Sequence, residues 1–255
     1  MGDRVAGKVA VVTGSTGGVG EGIAKRLAAE GASVVVSGRR DAEGERVVQE
    51  ICVAGGKALF HRADVSDEAD CLSLVQAAVD GFGAVDVLVN NAAALAQRPF
   101  EELSVEEWDA TYATNVRGPF ILSRAAAKHM RERGGGSIIN IGTGMARRGS
   151  LDRIAYSSSK GALLSLTKTM AGSLLRDRIR VNWIIVGWVA SPQEVELRNH
   201  THGDGAAYLK QTAEKRPLGV HESPEDIAAG VLFLASDEST HVTSCELNIT
   251  GGLVI

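Results

Sequence analysis

The chain has 255 residues, of which 44% are hydrophobic and 23% are charged. This composition predicts one soluble domain, over residues 1–255, with a sizeable core. The net charge of −4 and the absence of a basic cluster argue against nucleic-acid binding. The three cysteines are scattered and indicate neither a disulfide framework nor a metal site. No membrane-spanning run and no signal peptide are recognisable, so we expect a cytoplasmic protein.

Apolar, β-branched runs alternate with helical patterns along the whole chain. Strands are predicted at 8–13, 33–37, 57–61, 85–89, 136–141, 179–185 and 245–249. Helices are predicted near 18–30, 41–54, 67–81, 104–132, 155–176 and 224–235. This alternation favours βαβ units, and we predict an α/β fold with a doubly wound parallel sheet and helices on both faces. The loops that follow the strands then meet at one edge, where ligands bind in such folds.

The first predicted strand runs directly into a glycine-rich segment, residues 14–20, and then into a helix. This order is typical of phosphate binding, because glycine allows close backbone approach and a helix N-terminus offers free N–H groups. The alternative is a plain strand–helix turn that uses glycine for geometry alone. Four glycines within these seven residues favour the phosphate-binding interpretation.

Tyr156 and Lys160 are four residues apart in a segment with a helical pattern, so both side chains lie on one face. A nearby positive charge lowers the pKa of a phenol toward the range where acid–base catalysis is efficient. Alone, such a pair is most often a surface tyrosine beside a solvated lysine. The glycine-rich segment in the same chain favours the catalytic interpretation.

Residues 188–220 form a polar segment between the sixth predicted strand and the last predicted helix. A long insert at a binding edge is usually a lid or a binding loop, and we expect this one to bind substrate. Its His200 and His202 are too few for a metal site and are interpreted as surface residues. Trp188, at its start, either packs the loop down or contacts substrate.

The chain resembles the short-chain dehydrogenase/reductase family, classical type, over essentially its whole length. The resemblance rests on Thr13-Gly14-x-x-x-Gly18-x-Gly20, on Tyr156-x-x-x-Lys160, on Asn90-Asn91-Ala92-Ala93 and on Thr114-Asn115-Val116. It implies a Rossmann-type sheet and hydride transfer between C4 of a nicotinamide and a carbonyl or alcohol carbon. It also implies a homotetramer that packs the helices near 104–132 and 155–176 against a neighbour.

The same resemblance implies roles for four residues. Tyr156 would exchange a proton with the substrate oxygen, and Lys160 would lower the tyrosine pKa and hold the nicotinamide ribose. Thr143 stands where the family usually has a serine that hydrogen-bonds the same oxygen. Asn115 would hold a water that relays protons to the lysine. The alternatives are a strand-end threonine at 143 and an asparagine that bends or caps a helix at 115.

The expected cofactor contacts follow the family motifs: Gly14, Thr16, Gly18, Val19, Gly20, Arg39, Asp64, Val65, Asn91, Tyr156, Lys160, Gly187, Val189 and Ser191. The second strand ends in Gly38-Arg39-Arg40, without the carboxylate that favours NAD and with guanidinium groups that suit a phosphate. NADP(H) is therefore favoured, although NAD(H) stays possible. Gly17 replaces a basic residue of many NADP-preferring relatives, and Asp41 is expected to be a helix N-cap.

Several positions depart from the family pattern. Ala93 and Ser244 replace glycines, Val186 replaces a proline, Ser191 replaces a threonine, and Thr250 replaces an aspartate. None of these changes removes a catalytic atom, but together they indicate an unusual substrate pocket. An epimerase, a lyase or a dinucleotide-binding regulatory protein on the same scaffold stays open.

Four arginines flank the predicted site in sequence: Arg98, Arg147, Arg148 and Arg153. One that faces inward could hold a carboxylate or a phosphate of the substrate. The alternative is that all four lie on a solvated rim.

Overall fold

Seven parallel strands form the centre of the molecule in the computed structural model, which describes residues 2–253. The predicted domain's terminal residues, Met1, Val254 and Ile255, lie outside this range. The strands are β1 (Val9–Val12), β2 (Ser33–Gly38), β3 (Lys57–Arg62), β4 (Val87–Asn90), β5 (Gly136–Thr143), β6 (Ile179–Val186) and β7 (Glu246–Ile249). Their order in the sheet is β3-β2-β1-β4-β5-β6-β7. All seven predicted strands are present, and the predicted parallel sheet is confirmed.

The central strands form because their side chains are apolar on both faces. Every residue of β1 is buried, and Val11 pairs with Val35 of β2 on one side and with Leu88 of β4 on the other. In a parallel sheet, helices cover both faces, so each strand needs apolar side chains on both of its faces. The continuous valine runs therefore predict both the sheet and its helical cover.

Helices cover both faces. They are α1 (Gly18–Ala29), α2 (Asp41–Val53), α3 (Glu68–Phe82), α4 (Val105–Tyr112), α5 (Gly118–Glu132), α6 (Met145–Arg148), α7 (Ile154–Ser173), α8 (Pro192–His202), α9 (Gly205–Ala213) and α10 (Pro224–Ala235). On one face α1, α2 and α10 bury residues such as Ile23, Ile51 and Val231 against the sheet. On the other face α3, α5 and α7 bury residues such as Leu74 and Met130.

Three segments differ from the predictions. The helix predicted over 104–132 is interrupted by a π-helical turn at Ala113–Arg117, which is a rare element that often marks a functional site. The expected loop at 188–220 contains two helices, α8 and α9. Asp41 is the first residue of α2 and Arg40 is its N-cap, so the N-cap prediction for Asp41 is wrong.

Two departures from the family motif have different backbone consequences. Among the described residues, Arg178 and Ser244 are the non-glycine residues with positive φ, so Ala93 avoids the strain that its glycine-like position could impose. Ser244 adopts φ 59°, where glycine would be unstrained.

The chain direction places the loops of interest on one edge. Sheet order reverses between β1 and β4, so the connections after these two strands leave in opposite directions and open a crevice at their carboxyl ends. The glycine-rich segment follows β1, and Asn91 follows β4. The sheet topology therefore brings the two motifs together.

Candidate active site

The glycine-rich segment forms a cradle that only small residues fit. Gly14 and Gly18 adopt positive φ, at 63° and 57°. A Cβ on Gly20 would lie 2.3 Å from the carbonyl oxygen of Gly14, which leaves no room for a side chain. The N-cap of α1 is Gly17, and no side chain caps the helix. The first-turn N–H groups therefore lack a side-chain acceptor, as expected of a helix that receives a phosphate.

Asn91 holds this cradle in place. Its backbone N–H donates to Oγ1 of Thr13 at 3.0 Å, and its side-chain Nδ2 donates to the carbonyl oxygens of Thr13 at 2.8 Å and Gly14 at 3.2 Å. These bonds tie the end of β4 to the end of β1. The geometry gives Asn91 a positioning role beside the cleft that it lines.

The first cleft at this edge has a volume of about 450 Å³. It is lined by residues from the ends of the first four strands, among them Gly14, Thr16, Arg39, Arg40, Asp64, Val65 and Asn91. Six of these seven were predicted as cofactor contacts. The cleft has polar and apolar walls, and Gly14 and Gly38 leave space in it that a dinucleotide would fill. The residues present thus fit such a cofactor.

The two arginines after β2 have different surroundings. Arg39 is 72% exposed and lies 3.6 Å from the carboxylate of Asp64. Arg40 bends over the cradle, where its Nη2 lies 3.2 Å from both the carbonyl oxygen and Oγ1 of Thr16. Its Nη1 lies 3.3 Å from Glu43. Both guanidinium groups therefore border the cleft, and Arg40 is the one in contact with the glycine-rich segment.

A second cavity, of about 870 Å³, opens beside the glycine-rich segment. Thr143 at the end of β5 and Tyr156 in the first turn of α7 both line it. So do Val19, Gly187, Val189 and Ser191, all of them predicted cofactor contacts. Thr143 Oγ1 accepts a bond of 3.3 Å from the backbone N–H of Met145. The fold therefore brings the predicted tyrosine and threonine to one cavity.

Lys160 lies behind this cavity and is 2% exposed. Its Nζ donates to the carbonyl oxygen of Ile141 at 2.8 Å and lies 5.9 Å from the centre of the Tyr156 ring. Burial lowers the pKa of Lys160 to about 8. Burial also raises the pKa of Tyr156 to about 12, and the positive charge of Arg153 opposes that rise. The pKa of Tyr156 is therefore raised by desolvation, and the charge that lowers it is that of Arg153, not that of Lys160 as expected.

Asn115 is fully buried in the π-helical turn. Both donors of its amide are used, by the carbonyl oxygen of Ala94 at 2.9 Å and by Oγ of Ser159 at 3.0 Å. Its Oδ1 accepts from the backbone N–H of Ala94 at 2.8 Å. Since Ser159 precedes Lys160, the asparagine ties the loop after β4 to the part of α7 that carries Lys160. The side chain therefore positions this segment.

Several residues of the site carry no motif that would reveal them. Gln193 reaches over the cradle, since a Cβ on Gly17 would lie 2.7 Å from its Nε2. Glu194 joins two walls of the second cavity, accepting from Nε1 of Trp188 at 2.7 Å and Nε of Arg198 at 2.8 Å. The local signal that was available is Ser191-Pro192-Gln193-Glu194, an N-cap pattern that starts α8.

Comparisons with known proteins identify the family and agree with the fold. The family model described as enoyl-(acyl carrier protein) reductase matches residues 14–254. A 2,5-dichloro-2,5-cyclohexadiene-1,4-diol dehydrogenase of Sphingobium indicum is 37% identical over 252 residues, which cover 99% of this chain and 98% of the relative.

Two solved structures are similar over nearly their whole length. L-Sorbose reductase from Gluconobacter frateurii, complexed with NADPH and L-sorbose, is 31% identical with a TM-score of 0.93, covering 100% of this chain and 98% of that one. A 7α-hydroxysteroid dehydrogenase, complexed with NADH and 7-oxo glycochenodeoxycholic acid, is 33% identical with a TM-score of 0.89 and coverages of 98% and 95%.

The doubly wound sheet, the glycine cradle and the Tyr156–Lys160 pair define an oxidoreductase of the dinucleotide-binding class. The chain belongs to the short-chain dehydrogenase/reductase family, and the resemblance inferred from its motifs is confirmed. Within residues 2–253, no helix combines the length and the apolar character that crossing a bilayer requires.

Proposed function

We propose that this protein is an NADP-preferring oxidoreductase that interconverts a ketone and a secondary alcohol. The observation that carries the proposal is the shared cavity of Tyr156 and Thr143, with Lys160 buried behind it. A proton donor and a second hydroxyl that face one cavity suit a reaction in which a carbonyl oxygen gains a proton.

Each residue has a step that its surroundings support. The Tyr156 hydroxyl, with its pKa raised to about 12, is protonated at neutral pH and would donate its proton to the substrate oxygen in reduction. Thr143 would hydrogen-bond the same oxygen, and its own bond from Met145 fixes the hydroxyl. Lys160, with a pKa of about 8, keeps its positive charge at neutral pH, and this charge lies near the Tyr156 ring. A bound nicotinamide would supply or accept the hydride.

The preference for NADP rests on the end of β2. Gly38 leaves no carboxylate there, and Arg39 and Arg40 both line the cleft that fits the adenosine half of a dinucleotide. Guanidinium groups bind phosphate through paired hydrogen bonds. One of the two similar structures contains NADPH and the other contains NADH, so they do not decide between the two cofactors. The proposed preference therefore depends on these two arginines.

A fluorescence titration with NADPH and NADH, side by side, tests that preference. We expect tighter binding of NADPH, and Arg40→Ala should weaken NADPH more than NADH because it removes the guanidinium in contact with Thr16. Arg46→Ala is the control, since its guanidinium is paired with Glu21 and Glu50 away from the cleft. Tighter binding of NADH by the unchanged protein would overturn the NADP assignment.

Replacing Tyr156 by phenylalanine tests the reaction itself. Loss of the general acid should reduce turnover by roughly 10²- to 10⁴-fold. Tyr112→Phe is the control, because Tyr112 stacks on Trp108 outside both cavities. An unchanged rate in Tyr156→Phe would exclude the proposed proton donor. Turnover of an alcohol without net change in cofactor would favour an epimerase or a lyase.

We also propose a homotetramer, as the family resemblance implies. The proposal is supported by exposed apolar side chains near the helices expected to form the contacts, including Val105 at 70% and Phe120 at 44% exposure. Leu151, just before α7, is 97% exposed. Light scattering after size-exclusion chromatography should give the mass of four chains, and a mass of one chain would contradict the proposal.

A further inference from the structure

We infer that Arg153 binds a carboxylate of the substrate, so that the protein acts on an oxo acid or the corresponding hydroxy acid. This inference rests on the proposed function, because it names the substrate class of the same cavity. Arg148 and Arg153 line the second cavity, whereas Arg147 pairs with Glu246 and Arg98 with Glu107.

The charges that line the cavity do not balance. It is lined by four guanidinium groups and one carboxylate, that of Glu194. Glu194 is already used by Arg198, with a shortest separation of 2.7 Å, and Arg216 is paired with Glu222 at 2.9 Å. Arg148 and Arg153 have no carboxylate within 4.0 Å in the part of the chain that the structure describes. Two positive charges therefore face the cavity without an anion.

Arg153 is the better placed of these two. Its Nε is buried and has no hydrogen-bond partner, and its Nη2 lies 3.5 Å from Oε1 of Gln97, at the limit of a hydrogen bond. The neighbouring Asp152 does not help, since its carboxylate accepts from Gln97 at 2.6 Å and from Ser150 at 3.0 Å. Because the buried Nε is closed to a ligand, a carboxylate would bind through the Nη groups, whose only bond among the described residues is the long one to Gln97, and two parallel bonds to these groups match the paired geometry that guanidinium favours.

The start of α7 places Arg153 close to Tyr156. It is the N-cap residue of α7, and its carbonyl oxygen accepts a 2.8 Å bond from the N–H of Ser157. Tyr156 follows three residues later, so the two side chains are neighbours on one face of the helix start. The positive charge of Arg153 also acts on the Tyr156 hydroxyl, as the direction of its effect on the tyrosine pKa indicates. A carboxylate on Arg153 would thus lie close to the carbonyl that Tyr156 protonates.

The rest of the cavity wall suits the carbon skeleton of such an acid. Leu95, Met145, Val186 and Leu197 line it with apolar side chains. Apolar side chains beside the unpaired guanidinium of Arg153 favour a ligand that has a hydrocarbon body and an anionic group.

Calorimetric titration with hexanoate and hexanamide tests the anion site without any turnover. One charge-assisted pair of hydrogen bonds contributes about 1.5–3 kcal/mol, so hexanoate should bind roughly 10- to 100-fold more tightly than the amide. Arg153→Gln should abolish this preference, whereas Arg147→Gln should keep it. Arg153→Lys should give an intermediate preference, because a point charge lacks the paired geometry. Equal affinities in the unchanged protein, or a preference that survives Arg153→Gln, would overturn the inference.

A second measurement separates this inference from the proposed function. Rates of NADPH oxidation are compared for 3-oxohexanoate and its methyl ester, and the acid should be favoured through a lower KM that Arg153→Gln removes. Absence of turnover with the acid and the ester, together with a hexanoate preference that depends on Arg153, would retain the anion site and reject ketone reduction of these compounds. Turnover of the ester with the KM of the acid would reject the anion site.

Discussion

The two clefts at the carboxyl edge of the sheet are built from different parts of the chain. The first cleft, which we name the dinucleotide cleft, borders the glycine-rich segment, where Gly14 and Gly20 are in near contact. The second cavity, which we name the substrate cavity, has walls of long side chains that bind one another, such as Glu194 with Trp188 and Arg198. The shape of the dinucleotide cleft depends on glycines, which have no side chain. The shape of the substrate cavity depends on charged side chains that pair with one another. A substitution should therefore act by steric conflict in one cleft and by loss of an ionic partner in the other.

The largest effect is expected in the substrate cavity. Arg216 and Glu222 form an ion pair with side chains that are each 7% exposed. Arg216→Met should lower the free energy of unfolding by about 3–5 kcal/mol, because it leaves the Glu222 carboxylate buried without a partner. Urea unfolding measures this loss, and the double variant with Glu222→Leu should recover most of it. Arg124→Met is the control, since it breaks an exposed pair with Glu68 and should cost about 0–1 kcal/mol.

A failure of the double variant to recover would mean that the pair acts through shape and not through charge. The cavity would then resemble the dinucleotide cleft, and the comparison between the two regions would not hold.

Lys160, which is buried behind the substrate cavity, should give the protein a pH-dependent stability. Its pKa falls on folding, so below about pH 8 the lysine is charged in both states and the cost of burying the charge is fully present. Between that pH and its ordinary pKa the unfolded chain holds the proton longer, and stability rises with pH. Relative to Lys160→Met, the unchanged protein should gain about 3 kcal/mol from pH 7 to pH 10.5. Urea unfolding of both proteins across this range measures the gain, and a constant difference would contradict it.

Much of the fold could be predicted from the sequence because its signals are local. The valine runs of β1 and β2 are buried on both faces, and the glycine-rich segment after β1 requires glycine for steric reasons. Tyr156 and Lys160 are linked by helical spacing. These signals depend on a few neighbouring residues, which is why six of the predicted cofactor contacts could be placed along one cleft: Gly14, Thr16, Arg39, Asp64, Val65 and Asn91.

The substrate cavity could be predicted only in part. The contact of Gln193 with the cradle depends on where α8 lies, and Arg216 meets Glu222 through the packing of the segment after α9. The π-helical turn at Asn115 has no distinctive local pattern. The raised pKa of Tyr156 follows from its burial, which the Y-x-x-x-K spacing does not reveal. Each of these features depends on how segments pack in three dimensions or on desolvation.

The smallest of these effects is expected in the dinucleotide cleft, where one methyl group is enough to test the steric argument. A Cβ on Gly20 would lie 2.3 Å from the carbonyl oxygen of Gly14 and 2.5 Å from Nδ2 of Asn91, so Gly20→Ala forces the cradle apart. Overpacking of this kind costs about 1–3 kcal/mol, which should weaken NADPH binding by roughly 5- to 150-fold in a fluorescence titration. Gly172→Ala is the matched control, because a Cβ there would meet nothing within 4 Å and Gly172 lies in α7. That control should bind NADPH normally and unfold at a slightly higher temperature, since alanine is favoured over glycine in a helix. Normal binding by Gly20→Ala would mean that the cradle adapts to a side chain, and steric exclusion would no longer distinguish the dinucleotide cleft from the substrate cavity.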